Sequence, residues 1–347
     1  MRGIAIMAIM LHNYCHWVKD IVRENEYTWT AAKCDKLWHL IQNPDEFFPV
    51  HLFSFFGHYG VPVFLFLSGF GLVMKYETSQ GDRHTVSIWR FLRYNYLKLF
   101  RILIVGFVAF VMLDAITPGM HRYEWLDVVA MLGMFSNFLE HPSQTIWPGP
   151  YWYFGVTLQL YIVYRLLFYR WRHWGVVVTM IALCWLLQEA YLDDKEMLER
   201  LRYNFMGGML PFGMGVLLAR SNFRLSLNGR MAGALTMVCV GLIVYLSFYQ
   251  QTWLWVPVLI VIGTIALVKY LPEFILKWLV WLGGISAAIF VSHPIVRKIF
   301  IRPYLSEDIY AGLLLYVVAS LVVAWLMMMV INKIPKPKEG KSEEFYR

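Results

Sequence analysis

Long apolar runs, separated by short polar segments, make up most of this chain. A helix that crosses the hydrocarbon core of a bilayer needs about 20 predominantly apolar residues. Ten runs approach or exceed that length, and they are Gly3–Val22, Val50–Met74, Ile102–Ile116, Tyr151–Tyr169, Trp174–Tyr191, Tyr203–Ala219, Met231–Phe248, Trp253–Val268, Trp278–Val296 and Tyr310–Ile331. The pattern predicts an all-α integral membrane protein with about ten transmembrane helices, in a single domain over residues 1–347.

An eleventh apolar run, Trp125–Leu139, is 15 residues long and is flanked by acidic residues. Its length favours a re-entrant or interfacial helix near 125–139 over a spanning one. The basic residues support the same count. With the N-terminus inside and ten spans, twenty of the 31 lysines and arginines fall in inner segments, where positive charge is expected to be in excess. We therefore predict that both termini are cytoplasmic, in a multi-pass protein of the cell (inner, cytoplasmic) membrane.

Composition agrees with this interpretation and excludes other classes of protein. Hydrophobic residues make up 59% of the chain and charged residues 16%, and the mean hydropathy is +0.51. These values exclude a soluble enzyme, a disordered tail and a disulfide-stapled secreted domain. The net charge of +8 then reflects membrane topology, and we expect no nucleic-acid partner. The cysteines, Cys15, Cys34, Cys184 and Cys239, show no C-x-x-C spacing and predict neither a disulfide framework nor a metal motif.

Histidines inside the first predicted span are candidates for function, because ionisable residues are costly in a bilayer. His12 and His16 are four residues apart and share one face of a helix. At 1.5 Å per residue, His12 lies about 15 Å from Arg2, close to the bilayer midplane. A neutral imidazole at that depth can take the proton of a hydroxyl nucleophile.

Two further spans carry buried polar candidates. His58 lies between Gly57 and Gly60, where small neighbours allow helices to approach closely, and Ser286 and His293 lie in the ninth span. Each histidine has an alternative interpretation as a structural hydrogen-bonding residue between helices. A shared metal site is disfavoured, because neither H-E-x-x-H nor a carboxylate-rich face accompanies these histidines.

A basic stretch at 89–101 is the second candidate feature. Arg90 and Arg93, and likewise Lys98 and Arg101, are three residues apart and lie on one helix face. Such pairs are suited to gripping the phosphates of an anionic molecule. The alternative is that they bind anionic lipid headgroups of the membrane or fix topology.

Four motifs, in order along the chain, carry a family resemblance. They are R-G-I-A-I at 2–6, Y-G-V-P-V-F-L-F-L-S-G-F at 59–70, the basic stretch at 90–101 and G-I-S-A-A-I-F-V-S-H-P at 284–294. With these motifs the chain resembles membrane acyltransferase family 3, the polytopic enzymes that O-acylate surface polysaccharides. The resemblance extends from Arg2 to the tenth predicted helix.

The chain departs from the family pattern at two places. Nine residues separate Arg2 from His12, one fewer than is usual in the family, and Asn13 occupies the usual position. The segment W-Y-F-G-V-T-L-Q-L-Y at 152–161 resembles a family element that carries a glutamate where this chain has Thr157. An acidic role at that position is therefore not carried over.

The resemblance implies an O-acyltransferase. It implies cytoplasmic acyl-CoA, usually acetyl-CoA, as co-substrate and a hydroxyl of a cell-surface polysaccharide or lipid-linked glycan as acceptor, without a metal. On this interpretation we assign His12 and His293 to catalysis and Arg2, Arg90, Arg93, Lys98 and Arg101 to acyl-CoA binding. His58, which lies outside the four motifs, and Ser286 are assigned to the acceptor or the support of the site.

Two other functions stay open at the level of sequence. A transporter or flippase that moves a glycolipid without chemistry would also use midplane polar residues and helix breaks, for which Pro211 and Pro294 are candidates. A non-catalytic partner of a polysaccharide synthase is the third. The acceptor sugar, the acyl group and the oligomeric state do not follow from the sequence.

Overall fold

The computed structural model describes residues 1–78, 87–221, 226–300 and 308–338. Helices make up 79% of the structure, and no strand is present in these ranges. The α-helices of the described ranges are α1 (Arg2–Cys15), α2 (Ala31–Gln42), α3 (Phe48–Phe56), α4 (Gly60–Tyr76), α5 (Ile88–Ile116), α6 (Trp125–Leu132), α7 (Pro142–Thr145), α8 (Trp152–Val163), α9 (Trp174–Ala190), α10 (Lys195–Arg202), α11 (Phe205–Arg220), α12 (Gly229–Ser247), α13 (Gln250–Trp253), α14 (Val256–Tyr270), α15 (Glu273–Phe300) and α16 (Ile309–Lys333). Four basic residues counted above as inner, Arg83, Arg224, Lys341 and Arg347, lie outside these ranges.

Each of the ten predicted apolar runs contains a helix. Five helical segments of the described ranges are long and apolar enough to cross a membrane: Phe48–Tyr76, which joins α3 to α4 through a 3₁₀ turn, and α5, α12, α15 and α16. Helices α9, α11 and α14 are apolar but shorter. These segments are those of a multi-pass membrane protein, while the count of ten spans stays a prediction. Helix α6 is only eight residues long, or about 12 Å, which is too short to span.

Helix α5 is longer than its apolar part. It begins at Ile88, where the Ser87 hydroxyl accepts a hydrogen bond of 3.3 Å from the Arg90 amide as an N-cap. Its 29 residues give a length of about 43 Å. The basic stretch and the apolar run from Ile102 therefore form one continuous helix, although the apolar pattern alone placed its start at Ile102.

Helix α1 is packed tightly on two sides by neighbours that approach its backbone. A Cβ atom on Gly3 would meet the carbonyl of Leu279 in α15, so the two helices touch at backbone distance. On the other side, a Cβ on Gly57 would lie 2.6 Å from the Cβ of His12. Glycine at these points allows the helices to approach as small residues do in membrane bundles. The position of His12 is therefore fixed by two helix contacts.

Contacts between helix ends define two sides of the bundle. Arg2 and Lys98 line one cavity, and Arg101, in the next turn of α5, donates from Nε to the carbonyl oxygen of Ile334 (2.9 Å) just beyond α16. We call this the Arg2 side. At the other end of α5 lies Asp114, and we call that end of the bundle the Asp114 side.

A buried carboxylate ties the helices together on the Asp114 side. Asp114 is fully buried and forms an ion pair with Lys298 of α15. It also accepts hydrogen bonds from the His121 amide (2.9 Å) and the Tyr123 hydroxyl (3.1 Å). A buried charge needs such partners, because desolvation without them is costly. This cluster joins the ends of α5 and α15.

The contact between α4 and α11 yields a prediction about packing. A Cβ on Gly69 would meet the carbonyl oxygen of Phe212, whereas a Cβ on Gly71 would have nothing within 4 Å. Alanine raises helix propensity equally at both sites, by about 1 kcal/mol. We expect Gly69→Ala to lower the melting temperature in detergent, because overpacking costs about 1–3 kcal/mol. Gly71→Ala, the matched control, should leave it unchanged or raise it; equal melting of the two variants would contradict the packing.

Candidate active site

A cavity of about 370 Å³ lies between the C-terminal half of α1 and the loops on the Asp114 side. We call it the His12 cavity. Its walls include His12 and His58 from the helices and Glu26, Glu199 and Tyr203 from the segments at its rim. It therefore joins histidines inside the bundle to polar and aromatic groups at the rim.

A buried polar network holds part of that rim. The Asn137 amide donates to the carbonyl oxygens of Trp152 (2.9 Å) and Tyr203 (2.6 Å). The Asn204 amide donates in turn to the Asn137 carbonyl (3.0 Å), and Gln159 donates to the Asn204 side chain (3.0 Å). Buried hydrogen bonds of this kind hold the backbone segments that they join. Trp152 and Tyr203 are thereby held at the cavity wall.

The proton on the His12 ring is placed by the backbone of α3. His12 Nδ1 lies 2.9 Å from the carbonyl oxygen of Ser54. A carbonyl only accepts, so Nδ1 carries the proton and Nε2 keeps its lone pair. Ser54 lies in the last turn of α3, where carbonyl oxygens lack their full set of intrahelical partners. In the neutral His12 ring, Nε2 is therefore the hydrogen-bond acceptor.

Two other histidines surround His12. The ring centroid of His16 lies 5.0 Å from that of His12, and the ring centroid of His58 lies 5.5 Å from it. His58 lines the cavity, is 1% exposed, and neither ring nitrogen has a hydrogen-bond partner among the described residues. A buried imidazole without a hydrogen-bond partner is costly, which makes His58 a candidate to bind a molecule in the cavity.

His293 occupies a different position. It is fully buried and lines neither the His12 cavity nor the cavity described next. Its ring contacts Phe290 at a centroid distance of 6.0 Å. The structure thus brings His58, rather than His293, beside His12. Of the two histidines predicted to be catalytic, only His12 faces the cavity.

A second cavity, of about 190 Å³, lies on the Arg2 side, and we call it the Arg2 cavity. Its walls are mostly apolar, with Arg2, Lys98 and Ser286 among the polar groups. Tyr153 of α8 and Phe290 of α15 line both cavities, and their ring centroids are 5.4 Å apart. These two aromatic rings therefore form the partition between the Arg2 cavity and the His12 cavity.

The residues predicted to bind acyl-CoA are divided by the structure. Arg2 and Lys98 line the Arg2 cavity, whereas Arg90 and Arg93 line neither cavity. Arg93 is exposed and Arg90 is half-buried. Arg101 donates to the last carbonyl oxygens of α16, which is a C-capping contact. Ser286, predicted on the acceptor side or in support, lines the Arg2 cavity and donates to the Gly283 carbonyl (2.8 Å).

Several cavity residues were missed by the reasoning from sequence, among them the rim residues Glu26, Glu199 and Tyr203 and one buried cation. Arg297 of α15 lines the His12 cavity and is 7% exposed. Arg297 is one of the basic residues outside the predicted inner segments, and its position one helical turn after His293 was a signal that it could share a site with that histidine.

Carboxyl groups at the rim carry perturbed acidity. Burial raises the pKa of Glu26 to about 7 and raises the pKa of Glu199, while a hydrogen bond with Ser143 opposes the rise at Glu199. Arg202 donates to the backbone carbonyl of Glu26 and holds this loop. Within the described ranges, no group of three or more histidine, cysteine or acidic side chains is arranged to hold a metal ion.

A buried acid beside the cavity loop predicts how stability depends on pH. Glu24 is 2% exposed and lies 3.6 Å from the Lys33 ammonium. Burial raises its pKa from 4.5 to about 7, despite the opposing effect of Lys33. The folded protein then holds the Glu24 proton more tightly than the unfolded chain, so stability falls as pH rises from 4.5 to about 7.

We expect Glu24→Gln, which mimics the protonated acid, to raise the melting temperature in detergent at pH 8 and to leave it nearly unchanged at pH 5. Asp35→Asn is the control for loss of an exposed carboxylate on the same segment. A Glu24→Gln effect that is equal at both pH values would contradict the buried protonated state.

Both cavities lie within a region of the chain that matches a known protein family. The sequence profile of acyltransferase family 3, an acyltransferase domain, matches residues 1–329. No curated protein and no solved structure matches the chain. The matched region holds both cavities and all four motifs on which the resemblance was based. The chain therefore belongs to acyltransferase family 3, and it is a multi-pass membrane acyltransferase.

Proposed function

We propose that this protein transfers an acyl group, acetyl in the simplest case, from cytoplasmic acyl-CoA to a hydroxyl of a cell-surface polysaccharide or lipid-linked glycan. The observation that carries the proposal is the pair of cavities that meet at Tyr153 and Phe290, with Lys98 on one side and His12 on the other. The proposal includes a single domain of ten spans in the cytoplasmic membrane with both termini inside.

The donor enters from the Arg2 side in this proposal. Lys98 and Arg2 offer cations to the phosphates of CoA, and the apolar walls of the Arg2 cavity suit its pantetheine arm. Along α1, Arg2 and His12 are about 15 Å apart. An extended arm bridges that depth and brings the thioester to the Tyr153–Phe290 partition.

His12 is the general base of the proposed reaction. Its Nδ1 proton is held by the Ser54 carbonyl, so Nε2 is the nitrogen that accepts the proton of the acceptor hydroxyl. The same nitrogen then returns the proton to the departing thiolate. His58, 5.5 Å away between ring centroids, has unpartnered nitrogens with which to bind the acceptor.

The acceptor enters from the Asp114 side in this proposal. There the cavity is lined by the aromatic rings of Tyr27, Trp152 and Tyr203 and by the carboxyl groups of Glu26 and Glu199. Aromatic side chains offer apolar contact area, and carboxyl groups offer hydrogen-bond partners for hydroxyls. This combination suits a sugar, which presents both apolar C–H faces and hydroxyl groups.

The helix breaks expected for a transporter are not found at the two candidate prolines. Helix α11 continues through Pro211, and α15 continues through Pro294. Discontinuous helices at the substrate site are the usual device of transporters. Neither proline therefore supports a transport path.

Loss of the proposed base is the first test of this function. We expect His12→Gln to lower kcat for transfer from labelled acetyl-CoA to surface glycans by at least about 100-fold, the usual contribution of a general base. His39→Ala, which removes a histidine from α2 outside both cavities, is the matched control and should keep wild-type kcat. Full activity of His12→Gln would remove the catalytic assignment.

Two neighbouring cations of α5 should behave differently. Lys98 lines the Arg2 cavity, so Lys98→Ala should raise the KM for acyl-CoA about tenfold with little change in kcat, as expected for a lost charged contact of about 1.4 kcal/mol. Arg101 caps α16, so Arg101→Ala should lower the melting temperature and leave that KM unchanged. A KM effect confined to Arg101→Ala would contradict the donor path through the Arg2 cavity.

A further inference from the structure

Arg297 is a buried cation beside the proposed base. A charged residue within an apolar membrane helix is costly and usually faces a cavity or a partner. Arg297 is 7% exposed and lines the His12 cavity. Among the described residues, no carboxylate lies within 4.0 Å of its guanidinium. Arg297 therefore forms no ion pair with another residue in the described part of the chain.

Two contacts hold the Arg297 guanidinium against α1. Nη1 donates to Asn13 Oδ1 at 2.9 Å, and the guanidinium carbon lies 4.8 Å from the ring centroid of Trp17. Asn13 also donates to the Ile9 carbonyl at 3.0 Å, which fixes its side chain. A guanidinium has five N–H donors in a rigid fork. The contact with Asn13 uses one donor and leaves others for the cavity.

The two helix contacts also set Arg297 relative to His12. Asn13 follows His12 directly in α1, and both residues line the cavity together with Arg297. The cation and the base are thus fixed against the same turn of one helix. Arg2, by contrast, lines the other cavity, beyond the Tyr153–Phe290 partition.

We infer that Arg297 is a catalytic residue that donates hydrogen bonds to the carbonyl oxygen of the acyl thioester and stabilises the negative charge that forms there. The inference rests on the proposed function. The acceptor oxygen bonds to the thioester carbon, its proton passes to His12 Nε2, and the C=O pair of electrons moves to the carbonyl oxygen beside Arg297. When this pair returns, the C–S bond breaks, and the thiolate takes the proton from His12. The products are the acyl ester and free CoA thiol.

Burial increases the effect of this cation. A donor aimed at a developing oxyanion in a water-restricted site is worth about 100- to 1000-fold in kcat. Stabilising the oxyanion can be distinguished from binding an acidic acceptor. The thioester carbonyl is present in every turnover, including turnovers in which water takes the place of the acceptor. Acceptor-independent hydrolysis of acyl-CoA therefore reports on Arg297 separately from acceptor binding.

The test compares the purified full chain with Arg297→Gln, Arg297→Lys and two controls. We expect Arg297→Gln to lower kcat for transfer to glycan, and the slow hydrolysis of acetyl-CoA without glycan, by about 100-fold each, with the KM for acetyl-CoA within threefold of wild type. Arg297→Lys, which keeps the charge, should have a kcat at least tenfold higher than that of Arg297→Gln. Lys298→Gln, the loss of the adjacent cation that pairs with Asp114, should lower the melting temperature but keep kcat within threefold.

Asn13→Ala separates catalysis from helix packing. If the only role of Arg297 were to hold α15 against α1, Asn13→Ala would lower kcat as much as Arg297→Gln does. We expect the fold-decrease in kcat for Asn13→Ala to be less than a tenth of the fold-decrease for Arg297→Gln. Should Arg297→Gln fail to give monodisperse protein, Arg297→Lys carries the test alone. A loss of kcat larger than threefold at unchanged KM for acetyl-CoA then supports the role, and a kcat within threefold of wild type overturns it.

The remaining outcomes identify which idea fails. A raised acceptor KM with unchanged acetyl-CoA hydrolysis in Arg297→Gln would overturn the oxyanion role and make Arg297 an acceptor-binding residue. An active wild type with an equally active Arg297→Gln would overturn the inference and leave the proposed function standing. A wild type that neither transfers nor hydrolyses the acyl group would overturn both.

Discussion

The hydrogen bond between His12 Nδ1 and the carbonyl oxygen of Ser54 is the interaction on which the reaction that we propose depends. It fixes the proton on one ring nitrogen and turns the other into an acceptor at the cavity. The bond requires α1 to lie at backbone distance from the end of α3, and Gly57 makes that approach possible. Close packing of α1 on its other side, where Gly3 meets Leu279, keeps the whole helix in that position.

The same packing divides the interior into two compartments with different chemistry. On one side of Tyr153 and Phe290 the walls are apolar, with cations at Arg2 and Lys98; on the other they carry histidines, carboxyl groups and Arg297. A transfer between two large polar molecules on opposite faces of a membrane needs such a meeting point, because neither molecule crosses the bilayer freely. In the reaction that we propose, only the acyl group has to pass the two rings of this partition.

Much of the fold was predictable from the sequence, because the hydropathy of a segment indicates whether it lies in the bilayer or in water. Every predicted apolar run contains a helix, and the short run at Trp125 forms a helix too short to span. Boundaries were less accurate where polar residues continue a helix, as between Ile88 and Ile102 in α5. The basic stretch was predicted as one binding group, yet Lys98 and Arg101 have different partners, since residues three apart on a helix still point along different directions to different neighbours.

The sequence by itself determined the class of protein and the family motifs, and it predicted a role for His12, because each depends on residue type and spacing along the chain. Tertiary structure decided which side chains share a cavity. It set His58 beside His12, placed His293 against Phe290 and outside the cavity lining, and brought Arg297 from the far end of α15 against Asn13. These outcomes follow from the rotation and depth at which separate helices pack, and those quantities arise from contacts such as Gly3 with Leu279 that no single helix specifies alone.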